Sequence, residues 1–101
     1  FNMVTGPAHW HLLARARAMD NQVFLAMCSP ARVTEDEGND GYVAFGHSLV
    51  VDPWGEVKVD LGPKEAVEVV ECDLGRVDEV RLALPYWTQK RADMYEVGKP
   101  V

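Results

Sequence analysis

Two cysteines, three histidines and one serine–aspartate pair are the residues with chemistry to offer: Cys28, Cys72, His9, His11, His47, Ser48 and Asp52. A nucleophilic cysteine needs a nearby base or a helix N-terminus to hold its thiolate, and it needs access. Cys28 closes the apolar run from Val23 and precedes Ser29-Pro30, so it reads as a buried core thiol. Cys72 ends a strand-type run just before a helix, but Asp73 is better placed to cap that helix, and a structural role is expected. His9 and His11 are two residues apart and point to different sides of a helix. No cysteine or carboxylate pattern completes a tetrahedron with them, so no metal site is expected. His47, Ser48 and Asp52 have the residue types of a hydrolytic triad. A triad is defined by roles in space, and local hydrogen bonding at the start of a strand is the expectation here. The glycines lack phosphate-loop spacing, which gives no ground for a nucleotide site.

The elements that must position these side chains follow from pattern. Thr5-Gly6-Pro7 reads as a helix start, with Thr5 or Gly6 as cap and Pro7 in the first turn. His9 or Trp10, Leu12, Leu13, Ala16 and Met19 recur at helical spacing, and Asp20-Asn21 ends the helix with Asn in the left-handed position. Val23 to Cys28 reads as a strand buried on both faces. The polar run Glu35 to Gly41 is a surface loop. Ser48 to Val51 and Glu56 to Asp60 read as strands joined by the turn Asp52-Pro53-Trp54-Gly55. Leu61-Gly62-Pro63 turns again into a further strand, Ala66 to Cys72, and these three should be antiparallel neighbours. A helix from Leu74 to Leu84 faces Val77, Val80 and Leu84 inward and stops at Pro85. Tyr86, Trp87, Met94 and Tyr95 load the tail with enough apolar surface for it to dock. The fold class is therefore α/β, with about two helices and four strands.

The length of 101 residues fits one domain, and the 48% hydrophobic and 26% charged composition is that of a globular chain. The net charge of −6 is uneven: residues 1–34 carry +2, residues 35–80 carry −10 and residues 81–101 carry +2. Such an acidic middle repels a phosphate backbone, so no nucleic-acid partner is expected. The longest apolar runs are too short to cross a bilayer. Two cysteines do not make a disulfide framework, which favours a reducing compartment. The first residue is Phe1 rather than Met, and the chain is expected to be a piece of a longer protein.

The ordered set of motifs resembles one superfamily. Phe1 to Trp10, then Arg15-Ala16-Arg17-Ala18 and Asp20-Asn21-Gln22, is similar to the carbon–nitrogen hydrolase (nitrilase) superfamily just downstream of its nucleophile. Gly46-His47-Ser48 with Val51 to Gly55 resembles the next signature, and Asp73-Leu74, Arg81, Pro85 and Lys90 to Tyr95 resemble the ending. Within the superfamily, Phe1-Asn2, Ser29-Pro30-Ala31-Arg32 and Tyr42 to Gly46 favour the omega-amidase branch.

The resemblance implies an α-β-β-α sandwich, of which residues 1–101 would be the C-terminal part of a single domain. It implies a Glu-Lys-Cys triad acting through a thioester on the ω-amides 2-oxoglutaramate and 2-oxosuccinamate, with no metal or organic cofactor. All three triad residues lie upstream in the family order, so no catalytic residue is assigned in this chain, and the chain alone is expected to be inactive and marginally folded. Its contribution would be a pocket wall made by Phe1, Asn2, Met3 and Thr5, with Thr5 either binding substrate or only capping the helix. Val4 stands where the branch leads one to expect a second hydroxyl. The helix from His9 to Met19, with Trp10 and Leu13 partly exposed, and the tail would form a homodimer contact. The cytoplasm is the expected compartment, with mitochondria as a second. Two other readings remain open: another amidase of the superfamily, and a non-catalytic remnant that binds a full-length partner.

Overall fold

Pro7 enters helical structure at a position where its missing N–H costs nothing. A wide π-type turn over Gly6–Trp10 continues directly into helix α1 (His11–Asn21). The computed structural model describes residues 1–95, and residues 96–101 of the domain expected over 1–101 lie outside the described residues. At the far end of α1 the left-handed position is taken by Gln22 (φ 52°), not by Asn21. The reason is reach. Gln22 is fully buried, and its Nε2 donates to the Leu84 carbonyl at 2.6 Å, tying the end of α1 to the end of helix α2 (Gly75–Ala83). Asn21 instead turns its amide back onto the Arg17 carbonyl.

Three strands make one antiparallel sheet in the order β1 (Leu25–Met27), β2 (Leu49–Val51), β3 (Val57–Asp60). The β2–β3 hairpin forms as the turn residues require. Gly55 holds φ 87°, its N–H reaches the Asp52 carbonyl at 2.9 Å, and the buried Asp52 carboxylate accepts the N–H groups of Trp54 and Glu56. A register shift at Val50/Val51 accommodates the tight turn.

β1 is shorter than the apolar run predicts, and it is an edge strand rather than one buried on both faces. Leu25 and Met27 are half-buried, whereas Ala26 points outward. Cys28 shares the outward parity of Ala26 and is exposed, which corrects the buried-thiol expectation; Cys72 is half-buried. Ala66 to Cys72 forms no strand. Val67 and Val69 are 92% exposed. Their alternation needs a neighbouring strand to pair with, and none stands beside them among the described residues. The sheet therefore has three strands, not four.

The core lies between α1 and β2. Ala14 and Ala18 are fully buried against Leu49 and Val51, with Trp10 and Phe45 closing one end. Trp10 is 5% exposed, so it belongs to this core and not to the open face of the helix. That open face carries Leu12 and Met19, with Leu13 half-buried. α2 adds Val80 to the interior. Within the single chain Tyr86, Trp87, Met94 and Tyr95 are exposed, and Arg81 and Lys90 lie over the Trp87 ring. With 7,572 Å² of accessible surface and a radius of gyration of 17.6 Å, the molecule is elongated. A compact domain of this length has about 13 Å.

One close approach controls how α1 meets the sheet. A Cβ built on Gly6 would overlap the Phe45 ring. Gly6→Ala is expected to cost about 1–3 kcal/mol through overpacking, read as a lower denaturant midpoint. An unchanged midpoint would contradict this packing.

Candidate functional site

The four residues expected to line a pocket all lie on one short segment, and two of them, Asn2 and Thr5, are tied together. Asn2 Oδ1 accepts the backbone N–H groups of Val4 and Thr5, both at 2.9 Å, and the Thr5 hydroxyl at 3.1 Å. The Asn2 carbonyl takes the Gly6 N–H at 2.9 Å. Asn2 is thus the cap of the first helical turn, and the Thr5 side chain makes no cap bond. Thr5 Oγ1 accepts the Asn2 N–H at 3.4 Å and keeps one lone pair for a further donor. Phe1 meets Trp10 edge-on at 5.0 Å, and its carbonyl accepts the Phe45 N–H. Met3 and Val4 are exposed. The segment forms a fixed, largely open rim at the start of the helix.

His47, Ser48 and Asp52 do not assemble. Ser48 Oγ accepts the Ser29 N–H at 2.9 Å and donates to the Ser29 carbonyl at 3.1 Å, which joins the ends of β1 and β2 as the strand-start reading requires. Asp52 serves its own turn. His47 instead faces Asp60, with Nδ1 donating to Oδ1 at 2.9 Å. His11 Nε2 donates to the other oxygen, Oδ2, at 2.7 Å. One carboxylate therefore sits between two imidazoles from different elements. His9 stays outside this group. Sequence reading missed the partnership of His11, His47 and Asp60. The hairpin register carried the available signal, because Leu49 pairs with Asp60 and the residues just before Leu49 fall beside it.

Burial on its own pushes the Asp60 carboxyl up. The Gly62 N–H, the hydrogen bonds from His11 and His47, and the charge of His47 outweigh it and leave the group below its ordinary range. The surroundings are well fixed. Phe45 stacks on His47 at 4.4 Å and meets His11 edge-on at 6.2 Å. The Trp10 indole donates to the His47 carbonyl at 2.8 Å, and the His47 N–H donates to the Gly62 carbonyl at 2.8 Å. Arg32 donates to the Phe45 carbonyl at 2.8 Å and lies over that ring. One turn beyond His11 on the same face of α1, Arg15 Nε donates to the Gly55 carbonyl at 2.7 Å.

A helix laid over an antiparallel hairpin, with a capped loop leading into the helix, defines an α/β piece that does not close on itself. A carbon-nitrogen hydrolase profile matches residues 1–82, and the chain belongs to that family. It is 52% identical over 102 residues to human omega-amidase NIT2, covering 99% of this chain and 36% of that protein. It is 54% identical over 97 residues to omega-amidase NIT2-A of Xenopus laevis, covering 96% and 34%. Among solved structures, it is similar to Saccharomyces cerevisiae Nit3, a member of branch 10 of the nitrilase superfamily, with TM-score 0.81 and 47% identity over 90% of this chain and 32% of that one. The C. elegans NitFhit protein gives TM-score 0.78 and 35% identity over 95% and 22%. The chain spans about a third of the length of the curated relatives it matches. Among the described residues no helix is long and apolar enough to cross a membrane.

The capping role of Asn2 can be tested directly. Asn2→Ala is expected to lower stability by about 1 kcal/mol, and Asn2→Asp, which keeps the acceptor, to restore it. Equal midpoints for all three proteins in urea would remove the capping role.

Proposed function

We propose that this chain is the C-terminal part of an omega-amidase that hydrolyses the ω-amide of 2-oxoglutaramate or 2-oxosuccinamate to the 2-oxo dicarboxylate and ammonia. The observation that carries this reading is the 52% identity to human omega-amidase NIT2 across 99% of the chain. In the proposed mechanism a cysteine thiolate adds to the amide carbonyl. A glutamate moves the proton to the departing ammonia, and a lysine holds the oxyanion. Water then cleaves the thioester. These three residues would come from the polypeptide preceding Phe1. No metal or organic cofactor enters these steps.

The part we assign to this chain is one wall of the pocket. Phe1 and Met3 offer apolar surface beside the substrate carbons, and Thr5 Oγ1 can accept an amide N–H while donating to Asn2. Asn2 keeps the wall in shape through its cap bonds. The elongated outline and the unpaired Val67–Val69 segment support a larger α-β-β-α sandwich in which further strands cover this sheet. The open face of α1, with Leu12, Met19 and the neighbouring Trp54, together with the tail, suits a homodimer contact. Two free cysteines suit a reducing compartment, cytoplasmic or mitochondrial.

The test joins this chain to the preceding, Glu-Lys-Cys-bearing part of human omega-amidase NIT2 and measures ammonia release. The chimera is expected to turn over 2-oxoglutaramate, and the 101-residue chain alone to release none. Thr5→Val in the chimera is expected to raise KM by about tenfold, the worth of one hydrogen bond. Turnover by the isolated chain, or a chimera that folds but acts only on other amides, would overturn the assignment.

A further inference from the structure

We propose that His11, His47 and Asp60 form a binding site for a zinc-type divalent cation, clamping α1 to the two open ends of the β2–β3 hairpin. Among the described residues these three each present one ligand atom, and all the ligand atoms lie within 4.8 Å of one another. Two imidazole nitrogens and one carboxylate oxygen are the donor set of a three-ligand zinc site that leaves a fourth position for water. Imidazole excludes the hard cations calcium and magnesium as the preferred occupants and favours the zinc, cobalt and nickel group.

The present contacts are hydrogen bonds of 2.7 Å from His11 and 2.9 Å from His47 to the two carboxylate oxygens. A tetrahedral ion with bonds of about 2.0–2.2 Å separates its ligand atoms by about 3.3–3.5 Å. With Oδ2 as the ligand atom, the His11 contact must open from 2.7 Å by about 0.6 Å, and the His47 contact starts at 3.2 Å, for the ion to take the place of the bridging protons. The side chains are 37%, 24% and 28% exposed for His11, His47 and Asp60, so an ion can enter and a water can remain on it.

The frame around the three residues is that of a built site. Gly62 N–H holds Asp60 Oδ1 at 2.8 Å, leaving Oδ2 to point at the ion. Phe45, itself buried, fixes both imidazole planes, one by stacking and one edge-on. His47 is held at φ 61°, a left-handed conformation that glycine adopts without strain and histidine does not. Its N–H donates to the Gly62 carbonyl and its carbonyl accepts the Trp10 indole N–H, which keeps it there. A side chain is thus kept, at some conformational cost, where its Nδ1 reaches Asp60.

The protein, in a Cys28→Ser/Cys72→Ser background that removes thiol ligands, is titrated with Co(II), and the ligand-field bands in the visible spectrum are recorded. One equivalent is expected to give the intense bands of a four- or five-coordinate site, with Zn(II) displacing the cobalt. His11→Gln, on the half-exposed face of α1, and Asp60→Asn are each expected to weaken binding at least tenfold, whereas His9→Gln leaves it unchanged. A second readout needs no substitution: Zn(II) should shift the 15N resonances of His11 Nε2 and His47 Nδ1 and leave those of His9 in place. Spectra that stay at those of free hexa-aqua cobalt, binding equal in all variants, or zinc-induced shifts confined to His9 would each overturn the site.

Discussion

Everything in this molecule hangs on the contact between one face of α1 and one strand. Ala14 and Ala18 carry side chains small enough for the helix backbone to lie close to β2, where Leu49 and Val51 fill the space between them. Trp10 extends this contact by one turn and ends it with a hydrogen bond to the His47 carbonyl. Burial of these apolar groups is worth about 25 cal/mol per Å² removed from water. It is concentrated in six residues, which makes the surrounding loops dependent on a small core.

From that contact the rest of the geometry follows. Because Trp10 fixes the His47 carbonyl, the segment from Ala44 to Ser48 is pressed against the first turn of the helix, and Phe45 fits only because position 6 is glycine. The Phe45 N–H returns to the Phe1 carbonyl, so the rim of Phe1, Asn2, Met3 and Thr5 is attached to the same frame. On the opposite side the Gly62 carbonyl and N–H reach His47 and Asp60, tying the end of β3 to the same place. The proposed pocket wall and the His11–His47–Asp60 group are two outcomes of one junction.

Local signals in the sequence reached most of the elements. Pro7, the Asp52 to Gly55 turn and the Asp73 region marked helix start, hairpin and second helix with boundaries close to those observed. Asp73 does accept the Gly75 N–H that its cap role called for. What escaped was what depends on partners distant in the chain. Ala66 to Cys72 has the pattern of a strand, but a strand exists only beside another. Cys28 sits in an apolar run, yet its parity on an edge strand turns it outward. The cap expected at Thr5 or Gly6 falls to Asn2, whose side chain reaches the Thr5 N–H three residues on. His11 and Asp60 are 49 residues apart, and only the packing of α1 over the hairpin brings them together.

The central claim, that α1 docks on β2 through Trp10 and that this junction orders the rest, is tested most directly by hydrogen exchange at the three indole N–H groups. Trp10 is 5% exposed and bonded to the His47 carbonyl, whereas Trp54 and Trp87 are 46% and 52% exposed. The account predicts one slowly exchanging indole N–H, assigned to Trp10, and two fast ones. Equally fast exchange at all three, or protection at Trp54 or Trp87 with Trp10 open, would contradict it.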